Sequence, residues 1–99
     1  MLNVKKTLTH LMGRVNFSTE SQSKNVTVNA GSLASVVVPL PNTKKAIGLA
    51  GVTCAGTGSA NMVLWAFEMQ SAGTSVSITN PSTTTRTITV YVKYIVVDS

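Results

Sequence analysis

Charge is scarce in this chain, and it is scarcest in the second half. Charged residues make up 11% of the 99 residues, against about 25% in an ordinary soluble domain. From residue 46 to the C-terminus the charged residues are Glu68, Arg86, Lys93 and Asp98. A soluble surface normally needs more charge than this, so we expect part of this half to be covered by its own core or by further copies of the chain.

The residues that perform acid–base chemistry are nearly missing. The carboxylates are Glu20, Glu68 and Asp98, and the single histidine is His10. Because they are scattered along the chain, no pair of general acid and base is expected, and no acid stands beside His10 to orient it. One histidine and one cysteine also give no metal-binding cluster. The sequence therefore predicts a protein that is not an enzyme, with no catalytic residue, no metal ligand and no cofactor.

Cysteine occurs once, at Cys54, which excludes a disulfide within the chain. Its neighbours are small or apolar, so Cys54 is expected to be a small buried hydrophobic side chain. No apolar run approaches the roughly 20 residues of a membrane helix, and residues 1–13 lack the apolar centre of a signal peptide. We therefore expect synthesis in a cytoplasm and no insertion into a membrane.

The first fifteen residues carry the only helical periodicity. Their apolar side chains follow the spacing of a coiled-coil seam, and this stripe consists of Val4, Leu8, Leu11 and Val15. A helix this short is marginal in water, so the stripe packs either on the β-domain of its own chain or on the same helix of neighbouring chains. Residues 16–24 are polar and unpatterned, and they are predicted to be a linker.

Beyond that segment the apolar period changes to two, which is typical of β-strands. Polar stretches rich in Gly, Pro, Asn and Ser separate the apolar runs. The predicted strands are residues 25–30, 33–40, 46–55, 62–70, 74–79 and 86–97. The fold class is therefore all-β: an antiparallel, jelly-roll-like sandwich of about six strands, in residues 25–99, preceded by a short N-terminal α-helix.

Two strands carry features that predict local geometry. Gly48 and Gly51 interrupt the third predicted strand and indicate a bulge, or a backbone passing close by. Trp65 and Phe67 lie two residues apart in the fourth predicted strand, so alternation places them on one face, where we expect them to pack in the core.

The basic residues raise the question of nucleic acid, since the formal net charge is +5. Lys5, Lys6, Arg14 and Lys24 lie in the first quarter of the chain. No aromatic residues are interleaved with them and no arginine-rich run is present. A nucleic-acid-binding module is therefore the less favoured alternative, and no nucleic-acid partner is expected.

Binding residues concentrate in loops, and three predicted connections are rich in Gly, Ser, Thr and Asn. Tyr91 is a further candidate because it shares a strand face with Thr89 and Lys93 and is expected to be exposed, and aromatic rings are common binding platforms. The candidate receptor-contacting residues are Thr57, Ser59, Asn61, Thr74, Asn80, Thr84 and Tyr91.

Four segments carry a resemblance to a known class of proteins: VKKTLTHLM, NVTVNAGSLASVVVPLP, KKAIGLAGVTCAGTGS and TTTRTITVYVKYIVV. Taken together they resemble small phage and prophage tail-associated proteins, especially the receptor-binding tips of tail fibres in phages of Gram-positive hosts. The resemblance implies a location in the virion, a homotrimer, contacts with other tail or virion proteins, and a host-surface glycan or protein as ligand. The alternative is a purely structural virion protein, such as a capsid decoration or a tail-tip plug.

Overall fold

A computed structural model describes residues 17–98, which form two three-stranded antiparallel sheets. The strands are β1 (Phe17–Val28), β2 (Leu33–Val38), β3 (Lys45–Ala55), β4 (Val63–Gln70), β5 (Gly73–Thr79) and β6 (Arg86–Val97), with one 3-10 turn at Ser59–Asn61. The all-β prediction is confirmed. The helix predicted for residues 1–15, with its stripe, lies outside the described residues. Within residues 17–98 no helix is long and apolar enough to cross a membrane.

The two sheets share one apolar core because alternate residues of their central strands are apolar. Sheet A has the order β1-β6-β3 and sheet B the order β2-β5-β4. The inward residues of β6 are at most 1% exposed, as the alternation predicts: Ile88, Val90, Val92, Tyr94 and Val96. Val76 and Ile78 of β5 are fully buried in the same cluster. The Tyr94 hydroxyl donates a hydrogen bond of 2.9 Å to the Val38 carbonyl oxygen, which ties sheet A to sheet B.

The strand register places the connections at two ends of the molecule. Val28 pairs with Arg86, Leu33 with Thr79, and Ala55 with Thr89. The connections at residues 29–32, 56–62 and 80–85 therefore lie together, at what we call the loop end. The opposite end, which we call the base, holds the connections at residues 39–44 and 71–72 together with the two ends of the described chain.

The segment predicted to be a linker is a strand. Phe17 to Lys24 pair with Val97 to Val90 of β6, as the first two-thirds of β1. The prediction was wrong because β1 is an edge strand whose exposed side chains are polar, so apolar periodicity does not mark it. Its backbone pairing with the apolar strand β6 holds it in place, and near the base Thr43 Oγ1 donates to Glu20 Oε1 at 3.1 Å.

Strand β4 departs from simple alternation. Leu64 pairs with Ile78 but Ala66 pairs with Ser77, so the intervening Trp65 has no partner across the strand pair. Beyond this bulge Phe67 lies opposite the buried Val76, whereas Trp65 is 55% exposed. The prediction that Trp65 and Phe67 pack in the core is therefore wrong: Trp65 stands in the bulge, and Phe67, on the edge strand of sheet B, is 47% exposed.

The bulge predicted in β3 is confirmed. Register shifts occur between Ala46 and Gly48 and again between Leu49 and Gly51. Each shift leaves one residue of β3 without a partner on β6. These two shifts determine which β3 side chains reach the outer face of sheet A.

Candidate functional site

Asn80 organises the loop end. Its Nδ2 donates to the carbonyl oxygens of Val28 at 3.0 Å and Thr84 at 2.9 Å. Its Oδ1 accepts hydrogen bonds from the backbone N–H and the hydroxyl of Ser82, at 3.0 and 2.6 Å, and its backbone N–H donates to the Ser32 carbonyl oxygen at 3.0 Å. The side-chain amide therefore links β1 to the β5–β6 connection, and because Asn80 is fully buried it is not available to a receptor. The prediction that Asn80 contacts a receptor is therefore wrong.

Thr74 is also too deeply buried to contact a receptor, so that prediction is wrong as well. It lies on β5 opposite Val38 and Met69, near the base, and it is fully buried. Among the described residues its hydroxyl finds no hydrogen-bond partner. The sequence indicated a turn residue, but β5 already begins at Gly73, so Thr74 stands inside the strand and faces the core.

The other loop candidates come together at the loop end. Thr57, Asn61 and Thr84 are exposed and Ser59 is half-buried. Thr57, Ser59 and Asn61 stand on the β3–β4 connection, and Thr84 stands on the β5–β6 connection. The loop end therefore presents hydroxyl and amide groups from two connections, braced beneath by the Asn80 hydrogen bonds.

The β3–β4 connection depends on glycine. Gly56 and Gly58 have φ angles of +117° and +81°, in the region that side-chain-bearing residues rarely adopt. A Cβ atom at Gly58 would stand 2.7 Å from Nε of Arg86. The Arg86 side chain therefore lies directly over Gly58, and a larger residue there would displace it.

Arg86 is a functional candidate that the sequence reasoning missed. It is half-buried at the start of β6, and within residues 17–98 no carboxylate and no hydrogen-bond acceptor pairs with its guanidinium. The three carboxylates of the chain lie toward the base: Glu20 opposite Tyr94, Glu68 opposite Ser75, and Asp98 at 3.4 Å from Lys44. The available signal was that Arg86 is the only charged residue between Glu68 and Lys93.

Tyr91 lies elsewhere. It is 42% exposed, as predicted, but it stands in the middle of β6, opposite Ser23 and Thr53. A depression of about 200 Å³ lies beside it on the outer face of sheet A. Tyr91 is therefore not part of the loop end, and the candidate residues divide into two separate places.

Cys54 lies on the inward side of β3, opposite Val90. Its thiol is half-buried and donates a hydrogen bond to the Ser59 carbonyl oxygen at 3.5 Å. Burial raises the pKa of the Cys54 thiol, which keeps it protonated and weakly nucleophilic at neutral pH. Among residues 17–98 no three His, Cys, Asp or Glu side chains come together as metal ligands would.

A scan against models of protein families, a search of curated proteins and a search of solved structures each found no match. Three features of residues 17–98 bear on function: a loop end where Arg86 has no partner, a base that holds both ends of the described chain, and two outer sheet faces poor in charge.

Proposed function

We propose that this chain is a non-enzymatic component of a phage virion or tail that assembles as a homotrimer and binds a receptor on the host cell surface through its loop end. The fold we infer is a jelly-roll-like sandwich. The strand orders β1-β6-β3 and β2-β5-β4 support it, because every connection except β4–β5 passes from one sheet to the other.

The observation that carries the proposal is the separation of the two ends. Both ends of the described chain leave from the base, together with residues 39–44 and 71–72. Three connections lie at the opposite end, away from both ends of the described chain. A protein held to a larger particle by its base presents this loop end outward, and exposed loops on a rigid scaffold are where binding residues concentrate.

The chemistry of the loop end favours a polar, anionic or neutral ligand. Hydroxyl groups of Thr57, Ser59 and Thr84 both donate and accept hydrogen bonds, and Arg86 offers a planar cation that binds carboxylate or phosphate in a bidentate manner. Because the carboxylates of this chain lie toward the base, Arg86 has no intramolecular competitor at the loop end. Glycans of a cell surface present these groups.

Self-association is supported by the outer face of sheet B. Its exposed apolar side chains are Leu33 at 68%, Val37 at 47% and Val63 at 49%, with Trp65 beside them at 55%. The residues between them are hydroxyl-bearing or small, and Glu68 is the one charged side chain at the outward positions of this sheet. A neighbouring copy can cover this face without meeting a row of like charge, so we assign it to contact between copies of the chain.

Binding of the labelled full-length chain to a glycan array and to intact Gram-positive cells tests the receptor role. Arg86→Gln is expected to weaken binding at least about tenfold, since a charge-assisted contact is worth about 1.5–3 kcal/mol. Lys45→Gln is the matched control: it removes the same charge from an exposed residue at the base and is expected to bind as the unmodified chain does.

Equal weakening by both substitutions would show non-specific charge attraction and overturn the assignment to the loop end. No binding of the assembled chain to any glycan or cell would favour the purely structural virion role, since the fold and the assembly are common to both functions.

A further inference from the structure

We propose that the depression on the outer face of sheet A binds an acidic sugar, meaning a pyranose that carries a carboxylate or a phosphate group. The depression measures about 200 Å³, which suits one small ring, because pockets for drug-sized ligands measure about 300–1,000 Å³. It lies mid-strand and away from the loop end. Its biological meaning rests on the proposed receptor binding, but its test does not.

The depression is built by two neighbouring rows of the sheet. In one row Ser21, Lys93 and Gly51 stand side by side on β1, β6 and β3. In the next row Tyr91 of β6 stands between Ser23 of β1 and Thr53 of β3. Gly51 has no side chain and the register shifts beside it. Apart from its two chain neighbours, no residue places an atom within 4 Å of the position that a Cβ of Gly51 would take, so the space next to the Lys93 stem is open.

The polar groups around this depression are unused by the fold. Nearer the loop end the same face pairs its polar side chains internally: Thr27 Oγ1 and Thr87 Oγ1 lie 2.9 Å apart, and Thr89 Oγ1 donates to Asn25 Oδ1 at 2.7 Å. Within residues 17–98 no such partner exists for the four polar side chains that line the depression: Ser21, Thr53, Tyr91 and Lys93. The pairing of outward side chains therefore stops where the depression begins.

These groups match a sugar ring with a negative charge. The exposed face of Tyr91 is electron-rich and attracts the C–H groups of a pyranose. The hydroxyls of Ser21 and Thr53 donate to and accept from sugar hydroxyls, and Lys93 binds an anionic substituent. Lys93 and Lys45 are the charged residues at the outward positions of sheet A. Since both are positive, an anionic ligand is favoured over a neutral or cationic one.

An NMR titration of the full-length chain tests the assignment. The probes are glucuronic acid, glucose 6-phosphate and glucose, each followed through the backbone amide signals of Gly51, Thr53 and Lys93. Saturable shifts are expected with both acidic sugars, at dissociation constants at least about tenfold below that of glucose. Lys93→Gln is expected to remove this preference for the acidic sugars while leaving the response to glucose in place.

Gly51→Val fills the depression without strain, because the site is open and its φ angle is not in the left-handed region. We expect it to weaken acidic-sugar binding at least about tenfold. The matched control is Gly48→Ala, on the same strand and face, where the new Cβ would lie 3.8 Å from Ile95 Cδ1; it is expected to bind as the unmodified chain does.

Three outcomes would overturn the proposal. They are the absence of saturable shifts with every sugar, unchanged binding by Gly51→Val, and equal shifts with inorganic phosphate alone, which would reveal a bare anion contact with no part for the ring. If these occur while Arg86→Gln still weakens binding to cells, the loop-end function stands and the sugar site alone falls.

Discussion

At the scale of single residues, two polar side chains are buried in the described part of the core, and they differ in whether their polar groups are hydrogen-bonded. Asn80 is fully buried with its side-chain amide hydrogen-bonded to the backbone of β1 and of the β5–β6 connection. Thr74 is fully buried with an unpartnered hydroxyl. A buried polar group contributes to stability only where it is hydrogen-bonded and costs stability where it is not, so substitution of these residues has opposite signs.

Asn80→Ala is expected to lower the free energy of unfolding by about 2–4 kcal/mol, because it leaves the buried Val28 carbonyl oxygen without its donor and releases the β5–β6 connection. Urea denaturation measures the change. Asn29→Ala is the control, since Asn29 is exposed at the same end and its loss is expected to stay within about 0.5 kcal/mol. Equal effects at the two positions would contradict the structural role of Asn80.

Thr74→Val is expected to raise the free energy of unfolding by about 1 kcal/mol. Valine has nearly the same shape as threonine, and the change removes a hydroxyl that is buried without a partner, at a desolvation cost of about 1–3 kcal/mol. Thermal unfolding and urea denaturation together give the sign of the change in the free energy of unfolding. A clear loss of stability would show that the hydroxyl is satisfied in solution.

Cys54 gives the stability a pH dependence of known sign. Burial raises its pKa in the folded chain above the ordinary value of 9.0, so the folded state holds this proton more tightly. The contribution is fully present below about pH 9 and is lost as the pH rises through the folded pKa, because the unfolded thiol ionises first. We expect the free energy of unfolding to fall less between about pH 8 and about pH 10 in Cys54→Ala than in the unmodified chain. Parallel curves would contradict the shift.

At the scale of elements, β4 shows how one extra residue redirects a strand. Trp65 and Phe67 have the same parity in the sequence, yet the bulge between Leu64 and Ala66 separates them. Phe67 lies opposite buried Val76, and its 47% exposure reflects its place on the edge strand of sheet B. Alternation alone predicts the same environment for both rings, and the bulge predicts different ones.

Phe67→Ala is therefore expected to cost more stability than Trp65→Ala. Both rings are about half exposed, at 47% and 55%, so each is expected to contribute less than the roughly 3–5 kcal/mol of a core aromatic. Phe67 is expected to contribute about 1–2 kcal/mol because it is paired opposite the buried Val76, and Trp65 less because it has no partner across the strand pair. Urea denaturation at low protein concentration, where assembly does not contribute, measures both. Equal losses, or a larger loss at Trp65, would contradict the bulge.

Strand β1 shows that a strand can form where the sequence has no apolar alternation. Its second half has apolar Val26 and Val28, which alternate and were predicted to form a strand, and its first half has none beyond Phe17. The hydrogen bonds to β6 extend through both halves. An edge strand needs only one paired neighbour, so the apolar residues that hold it can belong entirely to that neighbour.

At the scale of the whole molecule, the distribution of charge and apolar surface is uneven. The carboxylates lie toward the base, Arg86 lies at the loop end, and the outer face of sheet B exposes Leu33, Val37 and Val63. Exposed apolar side chains on a face poor in charge favour contact with another copy of the chain. In the proposed trimer, a weak receptor contact at each loop end is strengthened by simultaneous binding.

The double substitution Leu33→Ser with Val63→Ser is expected to shift the chain toward monomer in sedimentation equilibrium, because both residues flank Thr79 in one row across sheet B. Leu8→Ser with Leu11→Ser tests the predicted helical stripe in the same assay and is expected to weaken assembly while the β-sheets keep their stability. Phe17→Ser is the control, since Phe17 is 45% exposed on the other sheet. A monomeric unmodified chain at micromolar concentration would contradict the assembly.

The sequence by itself determined the all-β class, the long alternating strand β6 and its buried face, the bulges near Gly48 and Gly51, and the turn at Asn80. These features depend on neighbours within a few residues, where alternation, glycine and proline act locally. For the same reason the exposure of Tyr91 could be read from its flanking residues.

Only the tertiary structure decided that residues 17–24 form a strand, that Trp65 faces outward, that Asn80 and Thr74 are buried, and that the loops meet opposite the base. The depression likewise joins Ser21, Thr53 and Tyr91, which the chain keeps far apart. Each of these depends on which strand lies beside which and in what register. Cross-strand pairing sets that register between distant segments, and a single unpaired residue reverses every face beyond it.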